Sequence, residues 1–202
     1  MSIANFDFSG KYALVTGAGK GIGRGIALGL HKAGCTVISV TRSQSDLDSL
    51  VKETENGGRI IPVLLDLSAS QAETHAALRP FFQKYPIDYL VNNAAISNAS
   101  YTLDKVTPED LKRHFDINLN SLIWVTQVFA EELKKRYAND NSIRGSVVNL
   151  SSQASQTILD NHGIYGMTKA SVDYLTRQQA KELGRDCRVR VNAVNPTVIK
   201  RF

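Results

Sequence analysis

The sequence predicts a doubly wound α/β domain, a parallel sheet with helices on both faces, and two observations carry that expectation. Six short runs rich in valine, isoleucine and leucine, at 12 to 16, 36 to 41, 59 to 65, 87 to 92, 145 to 151 and 189 to 195, alternate with helical segments. Runs this apolar suit strands covered on both sides, which is how a parallel sheet is buried. The first run breaks into Gly17-Ala18-Gly19-Lys20-Gly21-Ile22-Gly23, after which apolar residues recur at helical spacing. With 202 residues, 43% of them apolar, the chain can bury one sizeable core, and no stretch has the composition of a linker, so 1–202 reads as a single domain.

Lys11 to Thr16 form the first strand, and Ile22, Ile26, Leu30 and Ala33 mark the first helix until Gly34 stops it. Glycines between a strand and a helix N-terminus let backbone N–H groups and the positive end of the helix dipole face a pyrophosphate. Gly17, Gly19, Gly21, Ile22 and Gly23 are therefore candidate dinucleotide contacts in a Rossmann-type unit. The second strand runs Val37 to Arg42, and no carboxylate follows until Asp46. An NAD site places an acid at that strand end for the ribose 2′-hydroxyl, whereas NADP needs cations for the 2′-phosphate. Arg42 can fork onto a phosphate and Lys20 adds a second positive charge from the glycine loop, which makes NADP(H) the expected cofactor.

The third strand ends in Asp66, followed by Leu67, and the fourth leads into Asn92-Asn93-Ala94-Ala95, whose asparagines read as locks between adjacent strands. Thr107-Pro108-Glu109-Asp110 is a helix start, with Thr as N-cap and Pro at the first helical position. Lys134-Lys135-Arg136 stands at a helix end before the polar loop Asn139 to Ser142, where cations complement the helix dipole. That run reads as a solvated helix end, so the net charge of +5 is not taken as a nucleic-acid patch.

The candidate chemistry lies between Asn149 and Lys169. Tyr165 and Lys169 at i, i+4 share one helix face, and Ser152 precedes the tyrosine by thirteen residues. A cation beside a phenol favours the phenolate, and a phenol so placed is a general acid for a carbonyl. Tyr-x-x-x-Lys also occurs on ordinary amphipathic helices, so the rest of the chain has to decide.

Thr16-Gly17-x-x-x-Gly21-x-Gly23, Asn92-Asn93-Ala94-Ala95, Asn118, Ser152, Tyr165, Lys169 and Asn195-Pro196 occur in that order. The series resembles the short-chain dehydrogenase/reductase family over essentially the whole chain. Within it, the stretches Gly17 to Gly25, Ser152-Gln153, Asn161-His162 and Val194 to Thr197 look most like the L-xylulose (dicarbonyl) reductases. The resemblance implies Tyr165 as general acid, Ser152 holding the carbonyl oxygen, and Lys169 assisting Tyr165 while bonding the nicotinamide ribose. It implies that Asn118 keeps a helix open around a relay water, that Asp66 with Leu67 contacts adenine, and that Asn93 joins the cofactor contacts. Gln153 and His162 match substrate-pocket positions suited to polyol hydroxyls, although His162 reads equally well as a surface loop histidine.

The implied activity is NADPH-dependent reduction of small polar ketoses or α-dicarbonyls such as L-xylulose. The family continues after Pro196 into a covering loop and a seventh strand, whereas this sequence stops at Phe202 and Val198 to Phe202 departs from the pattern. A form truncated after the sixth strand, binding nucleotide but weakly active or inactive, is therefore the alternative expectation. A hydrolase built on Ser152 and His162 would need a Gly-x-Ser-x-Gly elbow, which is absent around Ser152. Only Cys35 and Cys187 occur, with no metal-ligand spacing, no membrane-length apolar run and no leader-like N-terminus. The expected setting is the cytoplasm, with a small-molecule carbonyl as partner, no nucleic acid and no membrane. A homo-oligomer is expected, but not a tetramer resting on the seventh strand.

Overall fold

A computed structural model of the chain describes residues 6–54, 58–97 and 102–197. Among these residues, β1 (Tyr12–Thr16), β2 (Thr36–Thr41), β3 (Ile60–Leu64), β4 (Tyr89–Asn92), β5 (Ser146–Leu150) and β6 (Arg190–Val194) form one parallel sheet. Their order is β3-β2-β1-β4-β5-β6. The chain direction across the sheet reverses between β1 and β4, and in doubly wound sheets ligands settle outside the carboxyl ends of the strands at such a point. The helices are α1 (Gly21–Lys32), α2 (Gln44–Glu53), α3 (Gln71–Lys84), α4 (Pro108–Phe115), α5 (Ser121–Asn139) and α6 (Gly163–Cys187).

Alternation along each strand sends neighbouring side chains to opposite faces, and each face has its own core. Leu14, Ile38, Leu90 and Val147 meet Phe82 of α3, Phe129 of α5 and Leu183 of α6. Ala13, Val15, Val37 and Val91 meet Ala27 of α1 and Leu50 of α2. The inner strands are thus covered on both faces, as their composition predicts. The outer two are not: Leu64 of β3 is 56% exposed and Val194 of β6 is 50% exposed. β3 also carries Pro62, whose missing N–H suits an edge strand.

Two helices show how local sequence set their ends. Thr107 caps α4, its hydroxyl accepting from Asp110 N while the Asp110 carboxylate bonds back to Thr107 N, and Pro108 opens the first turn as expected. In α1 the buried side is Gly23 and Ala27, with Ile26 and Leu30 only flanking it and Ile22 exposed. The apolar spacing therefore gave the helix correctly but placed its contact face about one residue off. Helix and glycine loop approach too closely for large side chains: a Cβ on Gly23 would lie 2.2 Å from Gly17 O.

Asn92 and Asn149 are paired across β4 and β5, and buried. Asn92 Nδ2 donates to Asn149 Oδ1 and Thr126 Oγ1, and Asn149 Nδ2 donates to Thr176 Oγ1 and Gln179 Oε1. This ladder ties the sheet centre to α5 and α6, the strand lock the sequence predicts for Asn92. The Lys134-Lys135-Arg136 run lies within the last turns of α5, and all three cations meet carboxylates: Asp186, Glu131 with Glu132, and Asp88.

Candidate active site

At the carboxyl end of β1 the chain turns through Gly17, at φ +65°, where a Cβ would sit 2.8 Å from Asn93 Nδ2. Asn93 Nδ2 donates to Thr16 O and Gly17 O, and Thr16 Oγ1 accepts from the N–H groups of Asn93 and Ala94. The β4 loop thereby clamps the glycine turn against the sheet. Lys20 occupies the N-cap of α1 without a side-chain cap. The first N–H groups of a helix have no partner within it, so Gly21, Ile22 and Gly23 stand where an anion would be met by donors and by the dipole.

Beside this turn lies a pocket lined by Gly17, Thr41, Arg42, Asp66, Leu67 and Ile96. Arg42 and Asp66 reach it from the ends of neighbouring strands, although β3 stops at Leu64 and Asp66 lies two residues beyond. Hydrogen bonds from Ser68, backbone first, hold the Asp66 carboxyl below its ordinary range against the opposing effect of burial, with Arg42 adding to the lowering. One arrangement was not legible in the sequence. Asp46, in the first turn of α2, lies over the glycine loop, where its Oδ1 is 3.5 Å from Lys20 Nζ. A Cβ on Gly19 would fall 2.8 Å from Asp46 Cβ, and Arg24 Nη1 bonds Gly19 O. Lys20 therefore shares its charge with a carboxylate.

Tyr165 and Lys169 lie on α6, and the Lys169 ammonium stands 5.7 Å from the centre of the Tyr165 ring. Lys169 is 2% exposed and donates to Leu150 O at 2.6 Å. Burial pushes its pKa down from 10.5 to about 8, opposed in part by the negative charge of Asp173. Ser152 opens the short turn Gln153–Ser155 after β5, and its Oγ accepts from Ala154 N. Gly166 permits the close packing of α6 on that turn, because a Cβ there would lie 2.9 Å from Ala154 O.

Between α4 and α5 the helix widens into a π-turn, Asp116–Asn120, with Asn118 buried in it. Such single turns interrupt the regular ladder and are frequent at functional sites. Asn118 Oδ1 accepts from Ile96 N, and its Nδ2 donates to Ile96 O and Thr168 Oγ1, while Thr168 Oγ1 donates to Tyr165 O. Asn118 thus joins Ile96, in the loop that lines that pocket, to the tyrosine turn of α6.

The model of short chain dehydrogenases matches residues 11–201. This chain belongs to the short-chain dehydrogenase family. It is 44% identical over 191 residues to the L-xylulose reductase of Homo sapiens, covering 95% of this chain and 72% of that one. It is 41% identical to carbonyl reductase (NADPH) 2 of Sus scrofa, over 96% of this chain and 73% of that protein. Among solved structures, 3-ketoacyl-(acyl-carrier-protein) reductase from Brucella melitensis, complexed with NADH, superposes with a TM-score of 0.87 at 30% identity, covering 95% of this chain and 76% of that chain.

Two further candidates, His162 and Gln153, lie near the Ser152 turn and Tyr165. His162 sits at the N-cap of α6, its Nδ1 2.7 Å from Asp160 O and its ring edge-on to Tyr165 with centroids 6.4 Å apart. Gln153 is exposed at the mouth of the same turn, and its Oε1 accepts from Thr197 Oγ1. Residues 198 to 202, expected from the sequence to depart from the family pattern, lie outside the described residues, although the family model extends through residue 201. Among the described residues no group of His, Cys, Asp or Glu could hold a metal, and no helix is long and apolar enough to cross a membrane. Cys35 and Cys187 are free and buried. Gly166, Thr168 and Asp173 were missed as site residues. Only the last left a signal, the i, i+4, i+8 spacing of Tyr165, Lys169 and Asp173.

Proposed function

We propose that this chain is an NADPH-dependent carbonyl reductase acting in the cytoplasm on small polar ketoses or α-dicarbonyls of the L-xylulose type. The observation that carries the reading is the buried Lys169 ammonium 5.7 Å from the Tyr165 ring, packed against the turn that presents Ser152. The names of the human and pig relatives, a ketose reductase and an NADPH carbonyl reductase, support the substrate class and the cofactor.

The residues present fit a dinucleotide. The uncapped α1 N-terminus and the clamped Gly17 turn would take the pyrophosphate, Arg42 and Lys20 the 2′-phosphate, and Asp66 with Leu67 the adenine end. Asn93 would act through its clamp on that turn. When bound, the reduced nicotinamide supplies the hydride. Tyr165 then donates the proton from its Oη to the carbonyl oxygen, and Ser152 Oγ holds that oxygen in place. Lys169 keeps positive charge beside the phenol and holds the nicotinamide ribose, while Asn118 fixes the helix opening through which the spent proton is replaced. Gln153 and His162, at the mouth of the turn, orient substrate hydroxyls.

A homo-oligomer is supported by the apolar groove between α5 and α6, where Leu119, Ile123 and Leu175 lie beside the exposed ring of Tyr174. A second reading is a nucleotide-binding chain with little turnover of its own. NADPH oxidation against a panel of ketoses and α-dicarbonyls separates the two. In the first reading Tyr165→Phe lowers kcat at least about a hundredfold with NADPH affinity nearly unchanged. Full activity in that variant would remove Tyr165 as the acid, and NADPH binding by fluorescence without oxidation by any carbonyl would select the second reading.

A further inference from the structure

Asp173 follows Tyr165 and Lys169 one further turn along α6 and faces the same side. Its carboxylate is half-buried and joins two segments that are distant in sequence. Oδ2 accepts from Ser155 Oγ at 2.5 Å, and both oxygens accept from Asn195 Nδ2, at 3.2 and 3.1 Å. Ser155 closes the turn that Ser152 opens, and Asn195 follows β6. The same Asn195 amide reaches Ser152 O at 3.2 Å, and Gln153 N donates to Pro196 O. Ser155 has a single hydroxyl proton, which Ser152 O at 2.8 Å also solicits; the charged and closer carboxylate takes it.

We propose that Asp173 is a positioning residue of this site, its carboxylate drawing the Ser152 turn and the segment after β6 onto the face of α6 that bears Tyr165 and Lys169. The inference rests on the carbonyl reductase reading. A carboxylate suits the role because both partners offer donors: an amide at 173 would keep one acceptor and turn an NH2 group toward Ser155 or Asn195. Burial opposes the charge, and surrounding side-chain hydrogen bonds, among them those from Ser155 and Asn195, outweigh it, holding the carboxyl below its ordinary range. Lys169 is faced by Tyr165 from its own helix and by Leu150 O from β5, and its backbone carbonyl accepts from Ser151 Oγ. Among the described residues, Asp173 supplies the one charge that favours its ammonium. The carboxylate therefore serves both halves of the site, the oxygen-holding turn mechanically and the lysine electrostatically.

The test is Asp173→Asn, read by steady-state kinetics, NADPH fluorescence titration and the pH titration of the Lys169 Cε resonance in carbon-labelled protein, identified by its loss in Lys169→Met. The expected result is a kcat lower by about tenfold to a hundredfold, little change in NADPH affinity, and Lys169 titrating at a lower pH than in the parent chain. An unchanged kcat or an unchanged Lys169 midpoint overturns the proposal. Should Asp173→Asn not fold, Ser155→Ala and Asn195→Ala, which cut the same links from the other side, decide it. Loss of kcat with melting and NADPH affinity preserved upholds the role, and parental kcat in both refutes it. If the parent chain reduces no carbonyl, the functional reading has failed, and the Lys169 titration alone still decides whether Asp173 acts on the lysine.

Discussion

Replacing Lys169 by Met should make the protein more stable at neutral pH while destroying the site. The folded chain holds the lysine proton less tightly than the unfolded chain, because burial lowers the pKa from 10.5 to about 8. Below about pH 8 both states carry the proton, and the fold bears the full penalty of a buried charge. As pH rises from about 8 to 10.5 the folded chain gives up the proton first, and stability rises. At about 1.4 kcal/mol per pH unit, the full penalty is about 3 kcal/mol. Methionine retains an apolar stem in the same space but leaves Leu150 O without its donor, a loss of about 1–2 kcal/mol. Lys169→Met should therefore be more stable by about 1–2 kcal/mol at pH 7, an advantage that shrinks toward zero or reverses by about pH 10. Urea unfolding of both proteins without added nucleotide, at pH 7 and again near 9.5, measures the difference. A variant no more stable at pH 7, or a difference that does not change with pH, would refute the reasoning.

Arg42→Asp should weaken NADPH binding about tenfold to a hundredfold and improve NADH, since a charged hydrogen bond is worth about 1.5–3 kcal/mol; an unchanged ratio of the two affinities would take Arg42 out of the site. Gly23→Ala should lower stability by about 3 kcal/mol and impair NADPH binding, because its Cβ would meet Gly17 O at 2.2 Å and Asn93 Nδ2 at 2.4 Å. A parental melting temperature in that variant would show that the loop yields more easily than the contact implies.

The sequence by itself determined the alternation of strands and helices, the parallel sheet, the glycine turn and the shared helix face of Tyr165 and Lys169, all of which depend on spacing over a few residues. Strand periodicity and helix caps are local, so Thr107-Pro108 opened a helix as read, and the strand limits agreed to within two residues. Tertiary structure decided what depends on approach between distant segments. It set Gly23 and Ala27 as the buried side of α1, brought Asp46 onto the glycine loop, and tied Asn118 to Ile96 and Thr168 across a π-turn. It also gathered Ser155 and Asn195 on the carboxylate of Asp173. Ser155 and Asn195 lie 40 residues apart in the chain, and their hydrogen bond exists only because β5 and β6 are neighbours in the sheet. Pairing across such a gap leaves no period in the sequence, since a hydrogen bond needs only two groups within reach and not a regular interval between them.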